Sequence, residues 1–282
     1  MRRFDAHCHL ESYEGLTVQP RSFALPEGMF CATSGFSAES NEKNAGIRDM
    51  LNSEFGKPSG NSSGFHESQG IAGLPGISNP GNAASGRRVF LSCGIAPQTA
   101  QDIEKIHDLL PLWIEQYRAF KPDAIGEIGL DWHWGKTDLQ RNRQIWAFEY
   151  QLELAERIGL PVVIHCRDAM PEVLSRIESY NVKKFMMHCF FGTQEDVLKS
   201  VELGGIISVP PLRNKDRKKA VKAVGLARLV AETDSPYIGK TLNDINVSLQ
   251  IISDSLSVSL DDAAESTFRN ALQFYGGKGS GF

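Results

Sequence analysis

The chain has 282 residues, of which 41% are hydrophobic and 23% are charged, a composition typical of a globular protein with one large domain or two small ones. Its formal net charge is −4 at pH 7, so no extended basic surface is available to hold nucleic acid by neutralising phosphates. This balance excludes a purely electrostatic DNA-binding module but not an enzyme that holds phosphate locally with metal and a few basic side chains.

The cysteines and the N-terminal residues indicate the cellular compartment in which the protein is found. Five cysteines form neither an even set nor a C-x-x-C pair, which favours a reducing compartment over a disulfide framework. Arg2 and Arg3 are not followed by an apolar segment, and no run approaches the roughly 18 apolar residues of a membrane span. We therefore expect a cytoplasmic protein without a membrane segment, and no obligate protein partner is indicated.

Two segments of very different composition open the chain. Residues 3–10 are short and mostly apolar, which predicts a buried strand. Residues 34–87 are rich in Gly, Ser and Asn and bury too little apolar surface to offset their ordering entropy. We interpret 34–87 as a mobile, loop-rich insertion with one short helix within 42–55. It is either a lid over an active site or a tolerated excursion of the chain.

After residue 88 short apolar runs alternate with stretches whose apolar residues recur at helical spacing. The runs predict strands at 89–94, 124–130, 160–165, 185–189, 206–209 and 229–231. The periodic stretches predict helices at 101–120, 139–158, 170–180, 195–203, 215–224, 243–257 and 260–275. Residues 276–282 are interpreted as a disordered tail.

Short strands that alternate with longer helices are typical of parallel βαβ units. With the first segment and an eighth strand near 28–33, they predict one domain over 1–282, a distorted (β/α)₈ TIM barrel with a Gly/Ser-rich insertion early in the chain. A doubly wound open sheet is the alternative. It is disfavoured because His7-Cys8-His9, and not a glycine-rich phosphate loop, follows the first strand.

Potential metal ligands fall at the ends of five predicted strands, where the catalytic groups of parallel barrels project. Because side chains alternate along a strand, His7 and His9 share one face while Cys8 points away. By the same argument Cys166 and Cys189, each next to a histidine, face the helices. The candidate ligands are His7, His9, Glu127, His165, His188 and Asp234.

Imidazole and carboxylate ligands together suit several divalent cations. We expect one or two ions of zinc, manganese or, less naturally, magnesium. Glu127 has two carboxylate oxygens and could bridge two ions roughly 3.5–4 Å apart, the geometry of two-metal phosphoester cleavage.

Five segments of the chain resemble the TatD family of metal-dependent hydrolases, within the amidohydrolase superfamily. They occur in the family's order at residues 4–10 (FDAHCHL), 124–132 (AIGEIGLDW), 161–169 (PVVIHCRDA), 187–192 (MHCFFG) and 232–237 (ETDSPY). The resemblance implies a distorted TIM barrel, a one- or two-metal centre and, for many members, deoxyribonuclease activity.

The resemblance also implies roles for the ligands. By position, His7 and His9 look like ligands of one metal, whereas His165 and His188 look like ligands of the second. Glu127 looks like a ligand shared by both. Asp234 looks like the ligand that also accepts the proton of the attacking water, which makes it and Glu127 the catalytic candidates.

Two residues beside the ligands have alternative interpretations. Glu232 shares the parity of Asp234, and it either orients a ligand or is a buried structural hydrogen-bond acceptor. Arg167 either binds a substrate phosphate as a bidentate donor or pairs with Glu172 at the start of a helix.

Two groups outside the motifs also have alternative interpretations. Trp132, His133 and Trp134 either line the pocket, where a ring could stack on a base, or pack in a loop. A basic run on one predicted helix is either a solvated face or a DNA contact. It consists of Lys215, Arg217, Lys218 and Lys219.

Three features depart from the family pattern. The family usually has a His in a Gly-x-His-Pro turn, whereas this chain has Ala96 there. The Arg and the Asn-Glu-Pro stretch that usually follow the last motif are absent from 238–242. Residues 34–87 replace a shorter region. The predicted metal centre is complete, but the predicted substrate pocket is unusual.

Three functions therefore compete. The leading hypothesis is metal-dependent hydrolysis of phosphodiesters, acting on DNA ends or on small phosphoesters. The second is hydrolysis of carboxylic esters, lactones or amides, which the missing phosphate-binding groups favour modestly. The third, a non-catalytic barrel scaffold, is disfavoured because no candidate ligand is missing.

Overall fold

Eight parallel strands pair in the order in which they occur along the chain. The computed structural model describes residues 1–13, 16, 23–55 and 87–277. The strands are Arg3–Cys8 (β1), Met29–Ser34 (β2), Val89–Cys93 (β3), Ala124–Asp131 (β4), Val162–Arg167 (β5), Phe185–Met187 (β6), Ile206–Val209 (β7) and Leu229–Ala231 (β8).

Hydrogen bonds beyond the strand ends bring β8 back to β1. The Asp234 amide donates to the His7 carbonyl (2.9 Å), and the His9 amide donates to the Ser235 carbonyl (2.8 Å). These two bonds continue the parallel pairing across the last gap. The predicted (β/α)₈ TIM barrel is thereby confirmed.

Helices follow the strands and cover the outside of the barrel. Within the described ranges they are Ala38–Phe55 (α1), Pro97–Gln101 (α2), Ile106–Phe120 (α3), Asp138–Ile158 (α4), Met170–Ser179 (α5), Gln194–Glu202 (α6), Lys215–Val224 (α7), Ile245–Leu256 (α8) and Leu260–Tyr275 (α9). None of the helices in this part of the chain is both long enough and apolar enough to cross a membrane.

The buried apolar side chains form two clusters on opposite sides of the strands. The larger cluster fills the space between the outer face of the barrel and the helices. The smaller takes residues from the strands and closes on α9, where the Phe4 and Tyr275 rings stack with centroids 5.8 Å apart. Because Phe4 lies near the start of β1, α9 closes the N-terminal end of the barrel. Access to the interior is left to the C-terminal end.

Helix α1 corrects part of the predicted insertion at 34–87. Residues 38–55 form an 18-residue helix between β2 and β3, with Leu51 fully buried. Its inward face is partly polar, because Asn41 donates to the Gly94 carbonyl (3.0 Å) and Asn44 to Glu11 (2.7 Å). Buried asparagines weaken the apolar periodicity, so the sequence pattern indicated only a short helix. Residues 56–86 of the predicted insertion and 278–282 of the predicted tail lie outside the described residues.

The helix predicted at 101–120 begins at Ile106 in the structure, and the separate short helix α2 precedes it. Pro97 occupies the first turn of α2, a position where its missing N–H costs nothing. Residues 102–105 interrupt the helical hydrogen bonding before α3 begins at Ile106. Ala96, directly before α2, lies at the mouth of the barrel.

Strand β4 requires glycine where it passes β5. Gly129 has φ +142°, and a Cβ there would lie 1.9 Å from the His165 carbonyl oxygen. Because both groups are backbone in a closed barrel, we expect Gly129→Ala to lower the free energy of unfolding by at least about 2 kcal/mol. Urea denaturation of the metal-free protein would measure this loss.

A matched control is available on the exposed side of α1. A Cβ on Gly46 would meet no atom within 4 Å. Because alanine restricts the unfolded chain and favours helix, Gly46→Ala should raise the free energy of unfolding by about 0.5–1 kcal/mol. Equal unfolding free energies for the two variants would contradict the close approach of β4 and β5.

Candidate metal centre

The structure brings the six candidate ligands together at the C-terminal end of the barrel. They come from five strands or from the residues directly after them, and each donor atom lies close to several others. His165 is half-buried and the other five are buried. The residues are His7, His9, Glu127, His165, His188 and Asp234.

The Glu127 carboxylate lies between two pairs of imidazoles. Its Oε1 is 2.8 Å from His165 Nδ1 and 3.4 Å from His188 Nε2. Its Oε2 is 3.6 Å from His7 Nε2 and 3.7 Å from His9 Nε2. Each oxygen thus faces a different pair, the arrangement required of a carboxylate that bridges two cations.

Asp234 contacts one of these pairs. Its Oδ1 lies 3.2 Å from His9 Nε2 and 3.7 Å from His7 Nε2. Asp234 adopts a left-handed backbone with φ +48°, which aspartate tolerates better than most residues. The carboxylate therefore stands at the edge of the cluster that is open to the cavity above it.

The residues present fit a divalent cation. In each pair two imidazole nitrogens face one another at 3.2 Å, His7 Nε2 with His9 Nε2 and His165 Nδ1 with His188 Nε2. Two lone pairs at this distance repel unless a proton or a cation lies between them. Nitrogen and carboxylate donors in this mixture suit zinc and manganese, and less naturally magnesium.

Hydrogen bonds fix which nitrogen of two imidazoles faces the cluster. His9 Nδ1 lies 2.9 Å from the Ser34 carbonyl, which only accepts, so Nδ1 donates and Nε2 is the nitrogen that faces the cluster. His165 Nε2 lies 2.9 Å from Asp131 Oδ2, so Nε2 donates to that carboxylate and Nδ1 is the nitrogen that faces Glu127 and His188.

Sequence reasoning did not assign a role to Asp131 or to Gln98. Asp131 is buried at the end of β4, and its Oδ2 also accepts a hydrogen bond from Gln98 Nε2 (2.7 Å). The strand parity shared by Glu127 and Asp131 was a signal that could have found it. Gln98 follows Ala96 by two residues, and both line the cavity where the family usually has an imidazole.

Glu232 lies near a backbone amide and near a candidate ligand, so both alternatives that the sequence left open stay predictions. Its Oε1 accepts a hydrogen bond from the Cys189 amide (2.6 Å). Its Oε2 lies 3.7 Å from His188 Nδ1, and neither of these two buried atoms has a hydrogen-bond partner in the described part of the chain. Glu232 therefore faces the outer nitrogen of a candidate ligand.

Charges within the cluster control its ionisation. Burial alone would raise the pKa of Glu127, but the charge of His188 and the hydrogen bonds from the imidazoles hold that pKa well below its usual range. Burial likewise opposes ionisation of Asp234, yet the hydrogen bond from His9 lowers its pKa to about 2. Both carboxylates are thus ionised at neutral pH, as carboxylate ligands must be.

The pKa values of the imidazoles are shifted in opposite directions. Burial opposes protonation of His9, but Asp234 raises its pKa to about 9. Glu127 raises the pKa of His188 against the same burial. Burial and the neighbouring His188 lower the pKa of His7. The two carboxylates therefore attract positive charge into the cluster.

A cavity of about 800 Å³ opens above the cluster and is lined by five of the six candidate ligands. Three exposed aromatic side chains, Trp134, Phe191 and Tyr237, lie along it. Arg167 also lines it and is exposed, and no ion pair joins it to Glu172. Arg167 therefore lies beside the cavity, and its role in binding phosphate stays a prediction.

The expectation for the cysteines was only partly correct. Cys8 is buried among the helices, as alternation predicts. Cys166 packs against the same cluster but also lines the cavity, and Cys189 lines the cavity too. Alternation fails at Cys189 because β6 ends at Met187 and Cys189 adopts a left-handed backbone with φ +45°.

Comparison with known proteins places the chain in a family. The family model described as TatD related DNase matches residues 4–276. Human "Deoxyribonuclease TATDN3" is 30% identical over 195 residues, which are 64% of this chain and 70% of that protein. The "Uncharacterized metal-dependent hydrolase YabD" of Bacillus subtilis is 32% identical over 157 residues, 53% of this chain and 60% of that protein.

A solved structure agrees with the fold. The crystal structure of YJJV, a TatD homologue from Escherichia coli K12, superposes with a TM-score of 0.73 and 19% identity, covering 98% of each chain. With the family model matching almost the whole length, the chain belongs to the TatD-related DNase family and is a metal-dependent hydrolytic enzyme.

Proposed function

We propose that the chain hydrolyses phosphodiesters, at DNA ends or in small phosphoesters, with one or two divalent cations held by the six clustered residues. The observation that carries this proposal is Glu127, whose two oxygens each face a separate pair of imidazoles. A carboxylate so placed suits two adjacent cations, the arrangement used in phosphoester cleavage. Zinc, manganese and magnesium are all candidates.

The names of relatives support the substrate class. The human relative is named a deoxyribonuclease. A further relative from Erwinia billingiae, 32% identical over 41% of this chain and 46% of its own length, is named a 3'-5' ssDNA/RNA exonuclease. These activities belong to those proteins, and we extend the phosphodiester class to this chain.

The ligands would divide the work as follows. His7 and His9 would hold one cation, His165 and His188 the other, and Glu127 would contact both. Bound cations supply Lewis acidity, which lowers the pKa of water towards about 7 and offsets the charge that develops on phosphoryl oxygens. Asp234, ionised and open to the cavity, would orient the attacking water and take its proton at a carboxylate oxygen.

The cavity offers contacts for the rest of the substrate. Arg167 presents five N–H donors at the rim and would bind a phosphate oxygen. Trp134, Phe191 and Tyr237 expose ring faces on which bases would stack, each contributing about 1–3 kcal/mol in proteins that bind single strands. A cavity lined by an arginine and aromatic rings suits the end of a nucleic-acid strand that is not base-paired.

Asp234→Asn keeps the shape of the side chain but removes its capacity to accept a proton. We expect kcat for metal-dependent cleavage of bis-p-nitrophenyl phosphate to fall by about 10²–10⁴-fold. Asp168→Asn is the matched control, because Asp168 lines the same cavity and has a similar left-handed backbone (φ +56°) but is exposed and lies outside the six clustered residues. Activity retained by Asp234→Asn at full metal occupancy would contradict the role of Asp234.

Removal and return of metal tests the substrate class. After chelation, we expect cleavage of a 3'-ended DNA oligonucleotide and of bis-p-nitrophenyl phosphate to stop, and to return with zinc, manganese or magnesium. Carboxylic ester hydrolysis is the second candidate, because apolar Ala96 lies in the cavity where the family usually has a His. A metal-loaded protein that cleaves p-nitrophenyl acetate and neither phosphoester would establish that alternative.

Asp131→Asn tests the orientation of His165. Loss of the carboxylate removes the charge that holds Nε2–H and makes the imidazole a weaker ligand. We expect the dissociation constant for zinc, measured against a competing chelator, to rise about 10–100-fold. Gln98→Met removes the amide that donates to Asp131 and lies 3.2 Å from His165 Nε2, but it leaves the carboxylate in place, so its effect should be smaller. Unchanged affinity in Asp131→Asn would contradict this orienting role.

A further inference from the structure

The basic run on α7 does not form a uniform solvated face. Lys215, Lys218 and Lys219 are exposed, as that interpretation predicts. Arg217 is instead 5% exposed and lines the cavity above the metal cluster, next to Cys189 and Phe191. Its guanidinium therefore belongs to the pocket and not to the outer surface of the helix.

Backbone carbonyls hold this guanidinium in place. Nη1 donates to the Leu212 carbonyl (2.5 Å) and Nη2 approaches the Phe190 carbonyl (3.5 Å). The guanidinium carbon lies 5.7 Å from the centre of the Phe191 ring. Nε is buried and has no hydrogen-bond partner in the described part of the chain. Several N–H donors thus remain for another group.

No carboxylate of the described residues forms an ion pair with Arg217. The Glu232 carboxylate favours its charge from a distance, but Oε1 of that residue is bonded to the Cys189 amide and Oε2 faces His188. Burial meanwhile lowers the pKa of Arg217. A buried cation without a partner is costly, so a site that retains one gains when an anion enters.

We propose that Arg217 is a substrate-binding residue that donates to a phosphate oxygen beside the scissile bond. This assignment rests on the proposed phosphodiesterase function and adds a specificity determinant to it. Arg167 is exposed, whereas Arg217 is held by its carbonyl contacts and shielded from water. Hydrogen bonds to a charged group are stronger when the donor is held in place and desolvated.

Steady-state kinetics of four metal-loaded proteins would test the assignment: wild type, Arg217→Met, Arg217→Lys and the control Lys218→Met. The substrate is the p-nitrophenyl ester of thymidine 5'-monophosphate, and the competing probe is inorganic phosphate. For Arg217→Met we expect KM and the inhibition constant for phosphate to rise at least about tenfold, with a smaller change in kcat. Lys218→Met removes the same charge from an exposed position of α7 and should match wild type.

Arg217→Lys separates anion binding from support of the loop. Lysine retains the charge but cannot reproduce the forked contacts to Leu212 and Phe190, so the proposal predicts KM and phosphate inhibition between those of wild type and Arg217→Met. Equal constants for the lysine and methionine variants, or a loss of bound metal and melting temperature in both, would assign Arg217 a structural role and overturn the proposal.

The wild-type protein distinguishes failure of this assignment from failure of the function on which it rests. If wild type binds metal but cleaves no phosphodiester, the proposed function fails and the assignment falls with it. If wild type cleaves the ester and Arg217→Met shows the same KM and phosphate inhibition, only the assignment is overturned.

Discussion

The Glu127 carboxylate, placed between two pairs of imidazoles, is the interaction on which the rest of the site depends. Five strands must end at the same level for four histidines and Asp234 to surround it. Burial alone would favour a neutral Glu127, and the surrounding imidazoles reverse that preference. The carboxylates and the imidazoles of the cluster therefore depend on each other, because removing one kind of group would leave the charge of the other buried without compensation.

The same residues close the barrel and set the geometry of the site. The hydrogen bonds that join β8 to β1 are made by the backbone of His7, His9 and Asp234, the same residues whose side chains face the cluster. The Gly129 position likewise brings β4 against β5 at His165. A change that opened the barrel between β8 and β1 would move the ligands on one side of Glu127, and a change between β4 and β5 would move His165 on the other side.

The sequence predicted the barrel and the cluster because both follow simple periodicities. Alternating strands and helices indicated the fold, and polar residues at strand ends indicated the ligands. No role was predicted for Asp131, although it lies on the same face of β4 as Glu127. It contacts the candidate ligand His165 and not the position of a cation. Arg217 was named only as part of a basic run, and its buried position was not predicted because the run resembles a solvated face until the packing of α7 is known. Helix α1 was underestimated because its buried asparagines mask the apolar pattern.

The most direct test of the central claim is a crystal structure of the metal-loaded protein, with anomalous scattering recorded at the absorption edge of manganese or zinc. The account predicts one or two anomalous peaks within the cluster, each in contact with Glu127 and with at least one of the two imidazole pairs. Peaks confined to other parts of the molecule, or an empty cluster at saturating metal, would contradict it.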